Sequence, residues 1–310
     1  MNVFSSTLEL FEKYKPTPLV KLSIGRDVFC QLEFFNPFSR SIKDRAVYNM
    51  LIKALRSGEI DGTNVLYEAT SGNVGISIAA LSAVFGLKFR AYIPKPTPKT
   101  TELLIKVFGA EVVRTNFDTI DKKFVEFVKL EARRDKALNL NQFENDANFE
   151  AHYYGTAREL EEQLRSIDKI PEIIIAGIGT SGHIAGISKY FKERYETKII
   201  GVVPAKGETI PGIKRLETRP KWFFKVEVDE VVEVTAREAF EGILKVARSD
   251  GLLIGMSSGA VVKAYEKVRP EGTTVLIFPD DGFKYGEIFE MLLGEAQGKI
   301  SSRTSQLQGS

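Results

Sequence analysis

Ile173-Ile174-Ile175-Ala176-Gly177-Ile178-Gly179-Thr180-Ser181-Gly182-His183-Ile184-Ala185-Gly186 runs from an unbroken β-branched stretch, through a glycine-rich loop, into a helical pattern. Apolar residues without alternation fit a strand covered on both faces, as in parallel sheets. The same rhythm extends outward in both directions. Upstream, strands read at 28–35, 65–69, 89–93, 111–113 and 137–141, separated by helices at 46–55, 74–85, 101–108 and 119–134. Downstream, helices at 151–164, 184–194, 236–249, 257–268 and 285–293 alternate with strands at 198–203, 231–234, 252–254 and 274–278. The segment before Leu22, with Pro16-Thr17-Pro18-Leu19, reads as extended and docked rather than helical. The fold class is therefore α/β, with parallel-type twisted sheets carrying helices on both faces.

Composition narrows the function by exclusion. The 310 residues carry 43 basic and 41 acidic side chains, a net charge of +2, which gives no reason to expect nucleic acid. No apolar run reaches membrane length, and the first residues lack the basic and apolar regions of a signal peptide. The single cysteine, Cys30, excludes an intrachain disulfide and reads as inert packing within its apolar run. A cytoplasmic protein is expected. His152, His183 and Cys30 make no metal-ligand cluster of ordinary spacing.

In open α/β sheets ligands sit beyond the carboxyl ends of strands, so the loops there are the places to look. The loop 177–182 lets backbone amides surround a phosphate, with Thr180 and Ser181 adding hydroxyls and His183 a further donor or a surface filler. No Gly-Lys-Ser/Thr follows, and no acidic residue ends the next strand, so a single phosphate fits better than a nucleotide. Thr70-Ser71-Gly72-Asn73-Val74-Gly75 gathers hydroxyls, an amide and glycines at a helix start, a carboxylate or phosphate site that equally reads as a plain N-cap. Pro279-Asp280-Asp281-Gly282 offers carboxylates that cap the last helix or meet a heteroaromatic nitrogen.

Asn36-Pro37-Phe38-Ser39-Arg40-Ser41-Ile42-Lys43-Asp44-Arg45 supplies the remaining part. Ser41 as N-cap and Asp44 three residues on would form a variant capping box, placing Lys43 in a helix's first turn. The helix dipole and Arg45 would then disfavour its ammonium form. A free lysine amine, a monophosphate cradle and an acceptor for a ring nitrogen together describe pyridoxal 5′-phosphate.

At these residues the chain resembles the fold-type II pyridoxal-phosphate enzymes, in particular the cysteine synthase and cystathionine β-synthase group. Asn36 to Arg45 matches the group's lysine motif, Thr70 to Gly75 its substrate-carboxylate loop, and Gly179 to His183 its phosphate cradle. Gln142-Phe143-Glu144-Asn145-Asp146-Ala147-Asn148, Gly255-Met256-Ser257-Ser258-Gly259-Ala260 and the stretch from Pro279 to Tyr285 follow in the group's order. The resemblance implies two domains with the cofactor in the cleft between them. The smaller, 37–147, would close on substrate, and 1–36 with 148–296 would form the larger, leaving 297–310 as a disordered tail. It also implies a homodimer.

Residue by residue, the resemblance makes Lys43 the lysine that carries the cofactor and acts as general base. Asn73 is expected at the ring hydroxyl, and Gly179, Thr180, Ser181, Gly182 and His183 at the phosphate. Thr70, Ser71, Gly72, Asn73 and Gln142 would hold the substrate carboxylate. Three positions depart from the pattern. Val74 and His183 each stand where a threonine is common, and Asp281 stands where a serine usually faces the ring nitrogen. Asp281 either protonates that nitrogen or turns away to cap the last helix.

The expected reaction is β-replacement, with an amino acid and sulfide giving cysteine. Lys214-Arg215, in the long irregular stretch 204–224, suits a dianionic leaving group and resembles O-phosphoserine-using cysteine synthases. O-phospho-L-serine is therefore the expected substrate, ahead of O-acetyl-L-serine and then serine as in cystathionine β-synthase. A catalytically silent cofactor-binding protein is the reading from a different class.

Overall fold

The computed structural model describes residues 3–61 and 65–294, so the expected tail at 297–310 lies outside the described residues. The strands are β1 (Leu19–Lys21), β2 (Val28–Leu32), β3 (Val65–Ala69), β4 (Lys88–Ile93), β5 (Glu111–Arg114), β6 (Leu138–Asn139), β7 (Ile173–Gly177), β8 (Lys198–Pro204), β9 (Glu230–Val234) and β10 (Thr274–Phe278). The helices are α1 (Thr7–Lys13), α2 (Lys43–Arg56), α3 (Asn73–Phe85), α4 (Lys99–Val107), α5 (Lys122–Arg134), α6 (Asp146–Ala151), α7 (Ala157–Arg165), α8 (Gly182–Lys192), α9 (Ala236–Asp250) and α10 (Met256–Val268). A last helical stretch covers 286–294.

Two sheets result, one in the order β1-β2-β10-β7-β8-β9 and one in the order β5-β4-β3-β6. All pairings are parallel except β1 on β2. Side chains along a strand alternate between faces, and here both faces are apolar. In β10, Leu276 and Phe278 join Ile173, Ile175 and Cys30 in a core with α9 and α10. Val275 and Ile277 join Ile174 and Phe29 in a second core with α7 and α8. The smaller sheet repeats this, with Leu66, Phe89 and Ala91 packed on α2 and α3, and Tyr67 and Tyr92 packed on α5. Both sheets are thus sandwiched by helices, as the unbroken β-branched runs require. Cys30 lies within the first core, where burial pushes its thiol pKa up.

Three expectations change. The opening segment is partly helical: Ser6 caps α1 by accepting from the Glu9 amide, and Phe11 buries itself against Phe38 and Tyr48. Residues 252–254 form no strand. Gly251, at φ 69, ends α9, and Ile254 makes only an isolated bridge to Asp281. The helix expected from 151 starts at Asp146, where the Asn145 side chain accepts from the Ala147 amide, and runs through a π-helical turn, His152–Thr156, into α7.

The carboxyl ends of β3, β7, β8 and β10 lead into the loops singled out above. The two sheets are tied behind them by Arg45 of α2, whose buried guanidinium meets Glu33 at 2.6 Å and Glu159 at 2.7 Å.

Candidate active site

Lys43 is the first residue of α2, and no side chain caps the helix at Ile42. The expected capping box does not form. The Ser41 hydroxyl accepts from the Lys43 amide at 3.2 Å, but Asp44 turns back to the Phe38 and Ser39 amides and the Ser39 hydroxyl. Arg45 does not act on Lys43 either, because residues two apart on a helix face different ways and its charge is spent on Glu33 and Glu159. The Lys43 amine is nonetheless lowered to about 8, by desolvation, with Asp280 opposing the shift. Among the described residues it has no hydrogen-bond or ion-pair partner, so it is free to react.

Beyond β7, the backbone amides of Gly179, Thr180, Ser181, Gly182 and His183 donate to no acceptor among the described residues. Five free donors at the start of an eleven-residue helix make an anion cradle. Two glycines are required there. A Cβ on Gly179 would lie 2.6 Å from the Gly212 carbonyl, and one on Gly182 would lie 2.2 Å from Asn148 Oδ1. The hydroxyls are less available than the sequence suggested. Ser181, held at φ 71, accepts from the Trp222 and Phe223 amides, and Thr180 Oγ1 accepts from Asn148 Nδ2. His183 is buried with neither ring nitrogen partnered. Its pKa is held down to about 3, first by desolvation and then by Lys43, so the ring is neutral.

Beyond β3, Thr70 shapes its loop. Its hydroxyl accepts from the Gly75 amide at 2.9 Å and the Gly72 amide at 3.3 Å, and a Cβ on Gly75 would collide with it. The amides of Ser71, Asn73 and Val74 donate to no acceptor among the described residues. Gln142 is drawn to this loop, donating to the Ala69 carbonyl at 3.0 Å.

The paired carboxylates after β10 separate, as adjacent residues on an extended chain must. Asp281 accepts from Arg40 Nε at 2.6 Å and from the Phe283 amide, the start of the last helical region. The carboxylate whose charge acts on Lys43 is instead Asp280. Its Oδ2 accepts from Asn73 Nδ2 at 2.8 Å and from the Tyr285 hydroxyl at 2.6 Å, while its buried Oδ1 has no partner. Of the two courses open to Asp281, ring nitrogen or helix cap, its contact with the Phe283 amide matches the cap; that the neighbouring Asp280 turns the other way, to Asn73, was not read from the sequence. The alternation of β10 could have found it, because only one of two neighbouring carboxylates can share the parity of the site.

The long loop after β8 splits the expected cation pair. Lys214 Nζ donates to the Ile120 carbonyl at 2.9 Å, and lies 4.9 Å from the Phe143 ring centroid. Its amine is lowered to about 8, first by desolvation and then by Lys43. Arg215 is spent elsewhere, on Glu217, Glu233 and the Pro204 carbonyl, because β9 places Glu233 beside it. The two therefore form no joint clamp. The same loop carries Trp222, the one tryptophan of the chain, which donates to Asp146 at 2.8 Å. Its role was invisible in the sequence because the contact spans 76 residues.

A desolvated lysine amine without a partner among the described residues, a cradle of free amides and an orphaned carboxylate oxygen fit pyridoxal 5′-phosphate, and they define a pyridoxal-phosphate enzyme of fold-type II. The family described as pyridoxal-phosphate dependent enzymes matches residues 10–280. Cysteine synthase B of Escherichia coli strain K12 is 33% identical over 291 residues, covering 90% of this chain and 94% of the relative. Cysteine synthase B of Campylobacter jejuni is 38% identical over 261 residues, covering 80% and 85%. Among solved structures, an O-acetylserine dependent cystathionine β-synthase from Helicobacter pylori has a TM-score of 0.82 at 28% identity, covering 93% of this chain and 98% of that one. An O-ureido-L-serine synthase has a TM-score of 0.83 at 25% identity, covering 91% and 93%. The chain belongs to the pyridoxal-phosphate dependent enzymes, in the cysteine synthase and cystathionine β-synthase family.

Proposed function

We propose that this chain makes L-cysteine by β-replacement, taking O-phospho-L-serine and sulfide and releasing phosphate. The observation that carries the substrate is Lys214, a half-buried ammonium with three donors that meets the Ile120 carbonyl and the Phe143 ring face, with Asp121 attracting its charge and Lys43 repelling it. With donors still open and a second amine acting on it, such a cation favours an anionic group beside it. Cofactor binding through Lys43 supplies an electron sink that loosens the Cα proton and then the β-substituent.

The chain's own groups do the rest. The amides of Ser71, Asn73 and Val74, with Gln142, orient the substrate carboxylate. Gly179, Thr180, Gly182 and His183 hold the cofactor's phosphate, while Ser181 fixes the loop that roofs it. Asn73, tied to Asp280, would meet the ring. Lys43, displaced as the amino acid binds, accepts the Cα proton at Nζ. An amine lowered to about 8 is poised for that task near neutral pH. Lys214 stabilises the departing phosphate, and sulfide takes its place on Cβ.

The withdrawal of Arg215 favours a second reading, O-acetyl-L-serine, whose leaving group needs no pair of cations. The unpaired amine of Lys43 argues against a catalytically silent binding protein. The homodimer and the cytoplasmic location belong to the same proposal; among the described residues, no helix is long and apolar enough to cross a membrane. Steady-state rates of cysteine formation with each serine ester, in wild type and Lys214→Ala, test the substrate assignment.

A further inference from the structure

We propose that Asn148 is a positioning residue whose one amide group ties the phosphate cradle after β7 to the carboxylate loop after β3. This rests on the reading of the site as a pyridoxal-phosphate site. Asn148 lies in the first turn of α6 and is 2% exposed. Its Nδ2 donates twice, to the Gln142 carbonyl at 2.8 Å and to Thr180 Oγ1 at 3.1 Å. A side-chain amide nitrogen carries two protons, and these two acceptors use both. A backbone carbonyl can only accept, so the nitrogen end must face Gln142, and the same nitrogen then faces Thr180. Asn148 Oδ1 packs on the cradle itself, where a Cβ on Gly182 would lie 2.2 Å from it. The start of α6 does not need this side chain, because Asn145 caps that helix.

Each bond acts at its own end. A hydroxyl has one proton and two lone pairs, so a donor at one lone pair leaves the proton for another partner. Among the described residues Thr180 Oγ1 accepts from Asn148 and donates to no acceptor, which leaves its proton for an anion held by the cradle amides. At the other end, Gln142 sits where the two loops meet. Its side chain donates to the Ala69 carbonyl at 3.0 Å, and its amide, beside that of Asn141, meets the buried Glu68 carboxylate. Those contacts hold Gln142 to β3, and Asn148 holds its carbonyl from the opposite side. Without Asn148 the Thr180 hydroxyl can turn its proton elsewhere, and the Gln142 carbonyl loses its buried donor. One substitution should therefore loosen the hold on two different anionic groups, the cofactor's phosphate and the substrate's carboxylate.

Two pairs of probes, each differing in one anionic group, test this. Pyridoxal 5′-phosphate against pyridoxal, titrated into apoprotein, reports the hold on phosphate. L-Alanine, which has no β-leaving group, against L-alaninamide, titrated into cofactor-loaded protein, reports the hold on carboxylate. Absorbance of the bound cofactor reads both. Asn148→Ala should shrink each preference by roughly 3- to 10-fold, the range of one neutral hydrogen bond. Asn148→Asp, equal in shape but unable to donate, should shrink both as well. Thr180→Val should shrink the phosphate preference, and adding Asn148→Ala to it should shrink that preference no further. Gln142→Ala should behave in the same way for the carboxylate preference. Equal weakening of both members of a pair, as from a merely structural role, overturns the inference, and so does a change in one preference without the other. Losses that add in full to those of Thr180→Val overturn it too, as does an unchanged phosphate preference in Thr180→Val alone. A wild type that holds pyridoxal as tightly as its phosphate overturns the cradle itself, and this inference with it.

Discussion

The charge of Asp280 acts on the amine of Lys43 and opposes the loss of its proton. Burial lowers the amine to about 8, and Asp280 keeps it from falling further. Attack on the cofactor's aldehyde needs the neutral amine, so uptake by apoprotein should quicken as pH rises through about 8. In Asp280→Asn the midpoint should move to lower pH, because the opposing charge is gone. Stopped-flow absorbance across pH 6 to about 9 measures it. An unmoved midpoint would show that the two residues do not interact.

Lys214 and Arg215 should behave differently although they are adjacent. Lys214→Ala removes this half-buried ammonium and should raise KM for O-phosphoserine by roughly 10- to 100-fold, about 1.5–3 kcal/mol. Its effect with O-acetylserine should be several-fold smaller. Arg215→Ala, which breaks contacts to Glu217 and Glu233 at the sheet edge, should leave both values nearly unchanged. Equal penalties on the two esters would remove Lys214 from the leaving-group site.

The architecture was legible because each buried strand announces itself locally. The runs 173–176 and 274–278 read as buried strands from composition alone, and both are buried throughout. The loops after them were legible for the same reason, since glycine is the residue that lets backbone approach backbone, as Gly179 does at Gly212. Which side chains turn toward the cleft was not legible. That choice depends on partners distant in sequence: Arg40 draws Asp281 away from 241 positions upstream, and Trp222 takes the hydroxyl of Ser181. Arg45 illustrates the same limit. Its proximity to Lys43 in sequence suggested an electrostatic role, but Glu33 and Glu159 claim it.

Arg45 should matter for stability instead. Its guanidinium is buried between two carboxylates, and removing one partner of such a set leaves charge uncompensated. Arg45→Ala should cost about 3–5 kcal/mol in urea unfolding. Arg45→Lys should recover little of that, because a point charge cannot reproduce the forked contacts to Glu33 and Glu159. A loss below about 1 kcal/mol, the size of an exposed pair, would contradict this role.

Glu68 gives a pH signature. It is buried at the end of β3, and desolvation pushes its pKa up to about 8, against the pull of the Asn141 amide. The folded chain therefore holds a proton there that the unfolded chain releases above its ordinary carboxylate range. Stability from this group is fully present below about pH 4 and declines as pH rises through about 8. Thermal unfolding of wild type should lose stability over that window, and Glu68→Gln should flatten the slope. A slope unchanged in the variant would place the titration elsewhere.

We expect this site to exchange the β-substituent of a serine ester for sulfide through Lys43. The deciding measurement gives the cofactor-loaded protein sulfide with either O-phospho-L-serine or O-acetyl-L-serine and quantifies cysteine, with Lys43→Ala alongside. Cysteine is expected from both esters, faster at low concentration from the phosphate ester, and none in Lys43→Ala, whose bound-cofactor absorbance should also be lost. No cysteine from either ester, or the same cysteine with Lys43 replaced, would contradict it.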